Sequence, residues 1–314
     1  MRDGTGGADA RVAASDGGPT ASDGGPATSG IAAAYPGDHG IQGHPSVIFA
    51  DDFESYSSAD GLWQRWDNVF QMSQTRIASE SGDVFAGAQS LEFTLPQQTT
   101  ELSNAVNKIL TNTVDVLYLR YYAKFDGTFD IVGSSHNGSE ISAGYFINGT
   151  QATPGIPADG TNKFLICYEC WRGEAAAPNP GDLNIYIYRP GQRSQWGDHL
   201  FPDGLVLPNT SQLEDWGPTF VARPNVVPEL ARWYSYEVML KANTPGQRDG
   251  QVTTWLDGVV VADLPNLRLR DIDTLKIDHF SVGFHAGSNP NGATKKWYDN
   301  VVAATEYIGP MAPL

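Results

Sequence analysis

The chain has 314 residues with 20 basic and 36 acidic side chains, a formal net charge of −16 and a pI near 4.6. That balance argues against nucleic acid and anionic membranes as partners, because affinity for phosphate arrays needs clustered Lys and Arg. No stretch approaches the roughly 18 apolar residues of a bilayer span, and two cysteines cannot build a disulfide scaffold. With 40% apolar residues there is enough to fill at least one globular core.

Residues 1–45 hold almost no large apolar side chain and carry a near-repeat, Ala14-Ser15-Asp16-Gly17-Gly18-Pro19-Thr20 followed by Ala21-Ser22-Asp23-Gly24-Gly25-Pro26-Ala27. Such a segment cannot bury enough surface to offset its ordering entropy, so it reads as a flexible linker. A linker implies something upstream in the precursor, such as a signal peptide or lipid anchor. The expectation is therefore a secreted or cell-surface protein, monomeric, with a linker over 1–45 and one domain over 46–314.

From Ser46 onward the texture is that of an all-β sandwich: short alternating runs punctuated by Gly, Pro, Asn and Asp. The predicted strands are 46–53, 90–94, 117–124, 163–172, 183–189, 233–242, 251–256, 277–285 and 297–305. The Pro- and Gly-rich stretches 145–162, 173–182 and 190–230 read as long loops.

Side chains alternate across a strand, so parity separates core from outer face. Leu117, Leu119, Tyr121 and Ala123 read as core, which leaves Tyr118, Arg120, Tyr122 and Lys124 outside. Ile185 and Ile187 point inward against Asn184, Tyr186 and Tyr188. Tyr234, Tyr236, Val238 and Leu240 oppose Ser235, Glu237, Met239 and Lys241, and Phe280, Val282 and Phe284 oppose His279, Ser281 and His285. A shared outer face of Tyr, Arg, Lys, His and Glu suits a polysaccharide, because sugar rings stack on aromatic faces and hydrogen-bond to polar tips.

The runs Arg232-Trp233-Tyr234-Ser235-Tyr236-Glu237, Lys241-Ala242-Asn243-Thr244-Pro245-Gly246, Trp255-Leu256-Asp257-Gly258 and Leu267-Arg268-Leu269-Arg270-Asp271 carry a resemblance, as do Phe49-Ala50-Asp51-Asp52-Phe53-Glu54 and Trp297-Tyr298-Asp299-Asn300-Val301-Val302. Together they resemble the concanavalin A-like jelly-roll polysaccharide lyases, which include glucuronan and alginate lyases, and a related fungal cellulose-induced protein. The resemblance implies a β-jelly roll of two antiparallel sheets and β-elimination on a uronic-acid-containing polysaccharide. Residue type and face then nominate Arg120 as carboxylate clamp, His136 as base and Tyr188 or Tyr122 as acid. Lys241, His285, Glu169 and Tyr186 are expected to line the substrate face. The Arg-Thr-Glu-Leu-Arg and Gln-Ile-His motifs of one alginate lyase group are missing, which bears on activity more than on fold. The acidity repels a polyanion at long range, although screening beyond about 10 Å leaves the local potential in control, so an acidic glycan is the expected partner with a neutral wall glycan as the alternative.

The resemblance also implies a structural Ca²⁺ between the first and last strands, with Glu54 and Asp299, and secondarily Asp52, as oxygen ligands. Cys167 and Cys170 lie three apart on a strand and so face opposite sides, which makes them structural thiols, with a strained local disulfide as the alternative. Two other functions stay open. One is a non-catalytic, calcium-stabilised carbohydrate-binding protein. The other is a glycoside hydrolase, which needs paired carboxylates such as Glu169 and Glu237.

Overall fold

The computed structural model describes residues 29–133, 135–149, 151–207 and 216–314. The repeat-bearing segment 1–28 lies outside the described residues. Among those described, the first strands are β1 (Val47–Asp51), β2 (Asn68–Phe70), β3 (Thr75–Ala78), β4 (Ser90–Leu95), β5 (Leu102–Val114) and β6 (Val116–Phe125). The middle of the chain forms β7 (Ser135–His136), β8 (Ser139–Ala143), β9 (Phe146–Ile147), β10 (Gln151–Ala152), β11 (Phe164–Trp171), β12 (Asp182–Tyr188), β13 (Asp198–Leu200) and β14 (Val206–Leu207). The last third forms β15 (Tyr234–Lys241), β16 (Gly250–Leu256), β17 (Val259–Leu267), β18 (Ile277–Ala286) and β19 (Thr294–Ala304).

All of these strands except β9 and β10, which pair with each other, form two large antiparallel sheets. Sheet A runs β17-β16-β15-β6-β19-β4-β3, with β1 also paired to β19. Sheet B runs β14-β13-β12-β11-β8-β18-β5-β2, with β7 also paired to β18. This is the jelly-roll sandwich that the resemblance implies. Among the described residues most of the helix is in short 3₁₀ turns such as Ile31–Ala34 and Ala59–Gln64.

Parity places the core as read from sequence. Leu117, Leu119, Tyr121 and Ala123 of β6 are fully buried between the sheets with Ile185 and Ile187 of β12 and Phe280, Val282 and Phe284 of β18. Tyr121 stacks on Tyr236 at 5.4 Å, and Trp66 packs edge-on against Phe49 at 4.7 Å. Aromatic side chains each bury about 150–250 Å², so every one removed from water contributes on the order of a few kcal/mol. The 13-residue strand β5 escapes a sequence reading because Asn104, Asn107 and Asn112 depress its β propensity. The fold overrides that preference: Asn104 is buried and its amide donates to the Thr94 carbonyl.

The expected boundary at residue 46 falls too late. Residues 31–43 form three 3₁₀ turns that lie over the outer face of sheet A beside the C-terminal tail. The Ile31 and Ala32 amides donate to the Tyr307 and Ile308 carbonyls, and Ile31, Ala32 and Ile41 pack on Val302, Ala304 and Ile308. Arg120, at the centre of that face, is wholly buried and forms an ion pair with Asp38. Its guanidinium also lies 5.2 Å over the Tyr122 ring.

Removing one member of a buried pair leaves the other desolvated without compensation, at a cost of about 3–5 kcal/mol. Arg120→Ala is therefore expected to lower the unfolding free energy by that amount in denaturant melts. A loss below about 1 kcal/mol, the level of a surface pair, would contradict a load on this contact.

Candidate functional site

The outer face of sheet B collects the reactive side chains into rows fixed by strand register. Tyr186 of β12 lies opposite His199 of β13 on one side and Cys167 of β11 on the other, and Cys167 lies opposite Glu140 of β8. In the next row Glu169 faces Asn184. At the end of β7, His136 faces His285 of β18, their rings stacked at 5.4 Å.

His136 and Glu169 meet across these rows, with Nδ1 of the imidazole 2.8 Å from Glu169 Oε2. In the neutral imidazole the carboxylate accepts from Nδ1–H, which leaves the lone pair on the outer nitrogen Nε2. Glu169 is buried, while the His136 side chain is 35% exposed. The pair thus has a fixed root and an accessible tip.

Beneath the pair, polar contacts reach across the core. Asn137 receives the Cys170 amide on its side-chain oxygen and donates to the Cys170 carbonyl and Ser135 Oγ, tying the His136 segment to β11. From sheet A, Lys296 sends its ammonium through the core to the Asn137 carbonyl, and the Tyr298 hydroxyl donates to the Gly283 carbonyl. Gly138 has no room for a side chain, since a Cβ there would sit 1.8 Å from the Tyr168 carbonyl oxygen. The backbone that aims His136 is held from three directions.

Burial dominates the electrostatics. It works against the His136 imidazolium, but the Glu169 carboxylate outweighs it and holds His136 above the ordinary imidazole value. Burial pushes His199 down to about 3 and His285 down to about 4, in both cases helped by repulsion from His136. Glu140 is pushed up to about 7 by burial. Lys163, buried with its ammonium 4.7 Å over the Tyr188 ring, is lowered to about 8. Further hydrogen bonds hold the surrounding side chains. His285 Nδ1 lies 2.5 Å from Ser103 Oγ and His199 Nδ1 lies 2.9 Å from Asn184 Oδ1. The Tyr186 hydroxyl, whose ring centre is 4.6 Å from that of His136, accepts the Gly197 N–H, and the Tyr188 hydroxyl accepts that of Gly155.

The nominated residues divide between the two sheets. His136, Glu169, Tyr186, Tyr188 and His285 share the outer face of sheet B. Arg120, Tyr122, Lys241 and Glu237 lie on sheet A, whose outer face is the opposite side of the molecule, so they cannot join that site. Parity identifies an outer face correctly but does not say which sheet owns it. Arg120 is spent on Asp38. The Tyr122 hydroxyl accepts the Met311 N–H and its ring stacks on Phe85 at 3.6 Å. Glu237 accepts the Ile308 and Gly309 amides, and Lys241 is exposed at the end of β15. The Glu169 and Glu237 pair considered for hydrolysis is thereby separated. His285 is present on this face, and burial drives it toward the neutral form.

Three members of the site are illegible in sequence. Glu140 sits in a five-residue strand too short to show alternation, His199 lies inside a stretch that reads as loop, and Ser103 lies on the unrecognised β5. Cys167 and Cys170 are free buried thiols on opposite faces of β11, which removes the disulfide alternative.

At the first and last strands, Glu54 Oε1 accepts the Ala88 and Gln89 amides, while Asp299 Oδ2 accepts those of Phe85 and Ala86. Both carboxylates approach one loop, and neither forms an ion pair among the described residues. Asp52 instead borders a neighbouring cleft of about 230 Å³ with Asp38, Arg65 and Asn300.

No family model matches the chain, and no curated protein does. Solved structures do. Alginate lyase Aly36B aligns with a TM-score of 0.58 at 18% identity, over 83% of this chain and 98% of that one. The marine PL-14 alginate lyase from Aplysia kurodai aligns at 0.56 and 13%, over 83% and 99%. Alginate lyase vAL-1 from Chlorella virus gives 0.56 and 13%, over 82% and 99%. At these identities the likeness is one of fold.

Lys296 gives a measurable signature of the polar support beneath the site. Burial lowers its ammonium from 10.5 to about 7, so between those pH values the unfolded chain binds more protons and stability rises with pH. The melting temperature of wild type relative to that of Lys296→Met is expected to rise as pH increases through that window. A difference that stays flat would contradict the buried placement of this lysine.

Proposed function

We propose that the chain is a polysaccharide lyase that cleaves a uronic-acid-containing polysaccharide by β-elimination on the outer face of sheet B. The observation that carries this reading is the His136–Glu169 hydrogen bond, which fixes one imidazole nitrogen on a buried carboxylate and leaves the other facing outward. A Lys, Tyr double variant of Aly36B is described in complex with alginate tetrasaccharide, which supports a uronate polymer as the substrate class for this fold.

The chemistry needs a base for the C5 proton, stabilisation of the charge that develops on the adjacent carboxylate, and a proton for the departing oxygen. His136 Nε2 takes the C5 proton, and Glu169 stabilises the imidazolium that forms. The electron pair becomes the C4–C5 double bond as the C4–O4 bond breaks. Tyr186, a phenol whose hydroxyl burial keeps protonated, supplies the proton to O4. His285, being neutral, offers an N–H to the uronate carboxylate. Trp196, half exposed beside Gly197 at the rim, and Trp171, 5.0 Å from His199, present ring faces for neighbouring sugars. The protein acts as an exported monomer on this reading. Among the described residues no helix is long and apolar enough to cross a membrane.

We also propose a structural Ca²⁺ held by Glu54 and Asp299. Hard oxygens without a basic partner suit such an ion, which would neutralise the two carboxylates and fasten the 85–89 loop to β19. Asp52 lies aside and is not assigned to it.

Incubation with a panel of polyuronates is expected to raise the ultraviolet absorbance of the unsaturated uronate end. His136→Ala and Glu169→Gln should each lower kcat by about 10²–10⁴-fold while circular dichroism stays native. New reducing ends without absorbance would assign hydrolysis, and retardation on a glycan gel with no cleavage would assign a binding protein. For calcium, a chelator should lower the melting temperature, since a ligand of the native state alone adds stability. A melting temperature indifferent to chelator would remove the ion from the account.

A further inference from the structure

We propose that His136, Cys167 and Glu169 form a binding site for a single divalent ion of the Zn²⁺ class. A ring nitrogen of His136, the Cys167 sulfur and a Glu169 oxygen all lie within 4.8 Å of one another, and among the described residues this is the one grouping of its kind. Zinc bonds to nitrogen, oxygen and sulfur run about 2.0–2.3 Å, which puts tetrahedral ligands about 3.3–3.8 Å apart. The widest pair here needs to close by about 1 Å, within the reach of side-chain torsions.

A second observation points to the same place. Glu169 Oε1 is buried and accepts no hydrogen bond. His199 Nδ1 stands 3.8 Å from it and is engaged by Asn184. An orphaned carboxylate oxygen in a buried site costs free energy that a metal bond would recover. The backbone prepares the other ligands: Cys167 and Glu169 are two apart on β11 and so share its outer face, and pairing with both β8 and β12 fixes their register.

The donor set selects the ion. A thiolate, an imidazole and a carboxylate match Zn²⁺, whereas Ca²⁺ and Mg²⁺ take oxygen alone. Binding forms the metal–sulfur bond and releases the Cys167 thiol proton to solvent. The exposed side of His136 leaves a fourth position for water. Metal occupancy engages the same imidazole and carboxylate that remove the sugar proton, so the ion acts as an inhibitor. That consequence rests on the lyase reading, while the binding itself does not.

The test uses the full chain, freed of metal with a chelator, then titrated with Co²⁺ and Zn²⁺. A stoichiometry of about one, with a sulfur-to-cobalt charge-transfer band that Zn²⁺ displaces, is expected. Cys167→Ser should abolish the band and weaken Zn²⁺ binding by about tenfold or more, and Glu169→Gln should weaken it with the band retained. Near-ultraviolet circular dichroism checks that both variants are folded. Absence of binding at micromolar Zn²⁺, or a band that persists in Cys167→Ser, would overturn the proposal. Protein that binds Zn²⁺ yet cleaves no polyuronate would keep this inference and overturn the lyase reading.

Discussion

Glu169 is the carboxylate on which the site depends. It is buried on the outer face of sheet B, where a charge is costly unless it is paired, and His136 supplies the pairing. The contact holds one imidazole nitrogen on Glu169 and leaves the other outward on a partly exposed ring. His199 and His285, whose nearest carboxylates stand 3.8 and 3.9 Å away, are driven toward the neutral form by burial and by repulsion from His136. Of three histidines in one neighbourhood, Glu169 holds only His136 above the ordinary imidazole value.

The support for that contact comes from the opposite sheet. A jelly roll sets two sheets about 10 Å apart, and the span is normally filled with hydrocarbon. Here Lys296 and Tyr298 of β19 cross it to reach the Asn137 carbonyl beside His136 and the Gly283 carbonyl of β18. A buried lysine is unfavourable for stability, yet its position makes the geometry of sheet B dependent on the register of sheet A. Polar groups on the outer face of sheet A do different work. Arg120 and Glu237 secure the N-terminal turns and the C-terminal tail, closing the side of the sandwich that faces away from the site.

Sequence reasoning reached the core and the outer faces because alternation is a local property. Tyr121 inside and Tyr122 outside follow from their positions alone. It could not assign faces to sheets, because β6 pairs with β15 and β19 across long separations that no local pattern encodes. Arg120 and His136 therefore read as neighbours when the sandwich stands between them. Lys296 was legible in principle: it shares the parity of Tyr298, a core residue. His199 and Glu140 were not, since their strands are only three and five residues long and gain their order from neighbours.

The central claim is that a uronate polymer lies across sheet B with its reacting carbon at His136. It is tested most directly by a crystal structure of His136→Ala with a bound uronate tetrasaccharide. The account predicts a sugar whose C5 proton points at the space left by the imidazole, with O4 toward Tyr186 and the carboxylate toward His285. An oligosaccharide bound on sheet A, or one on sheet B with no scissile bond near that space, would contradict it.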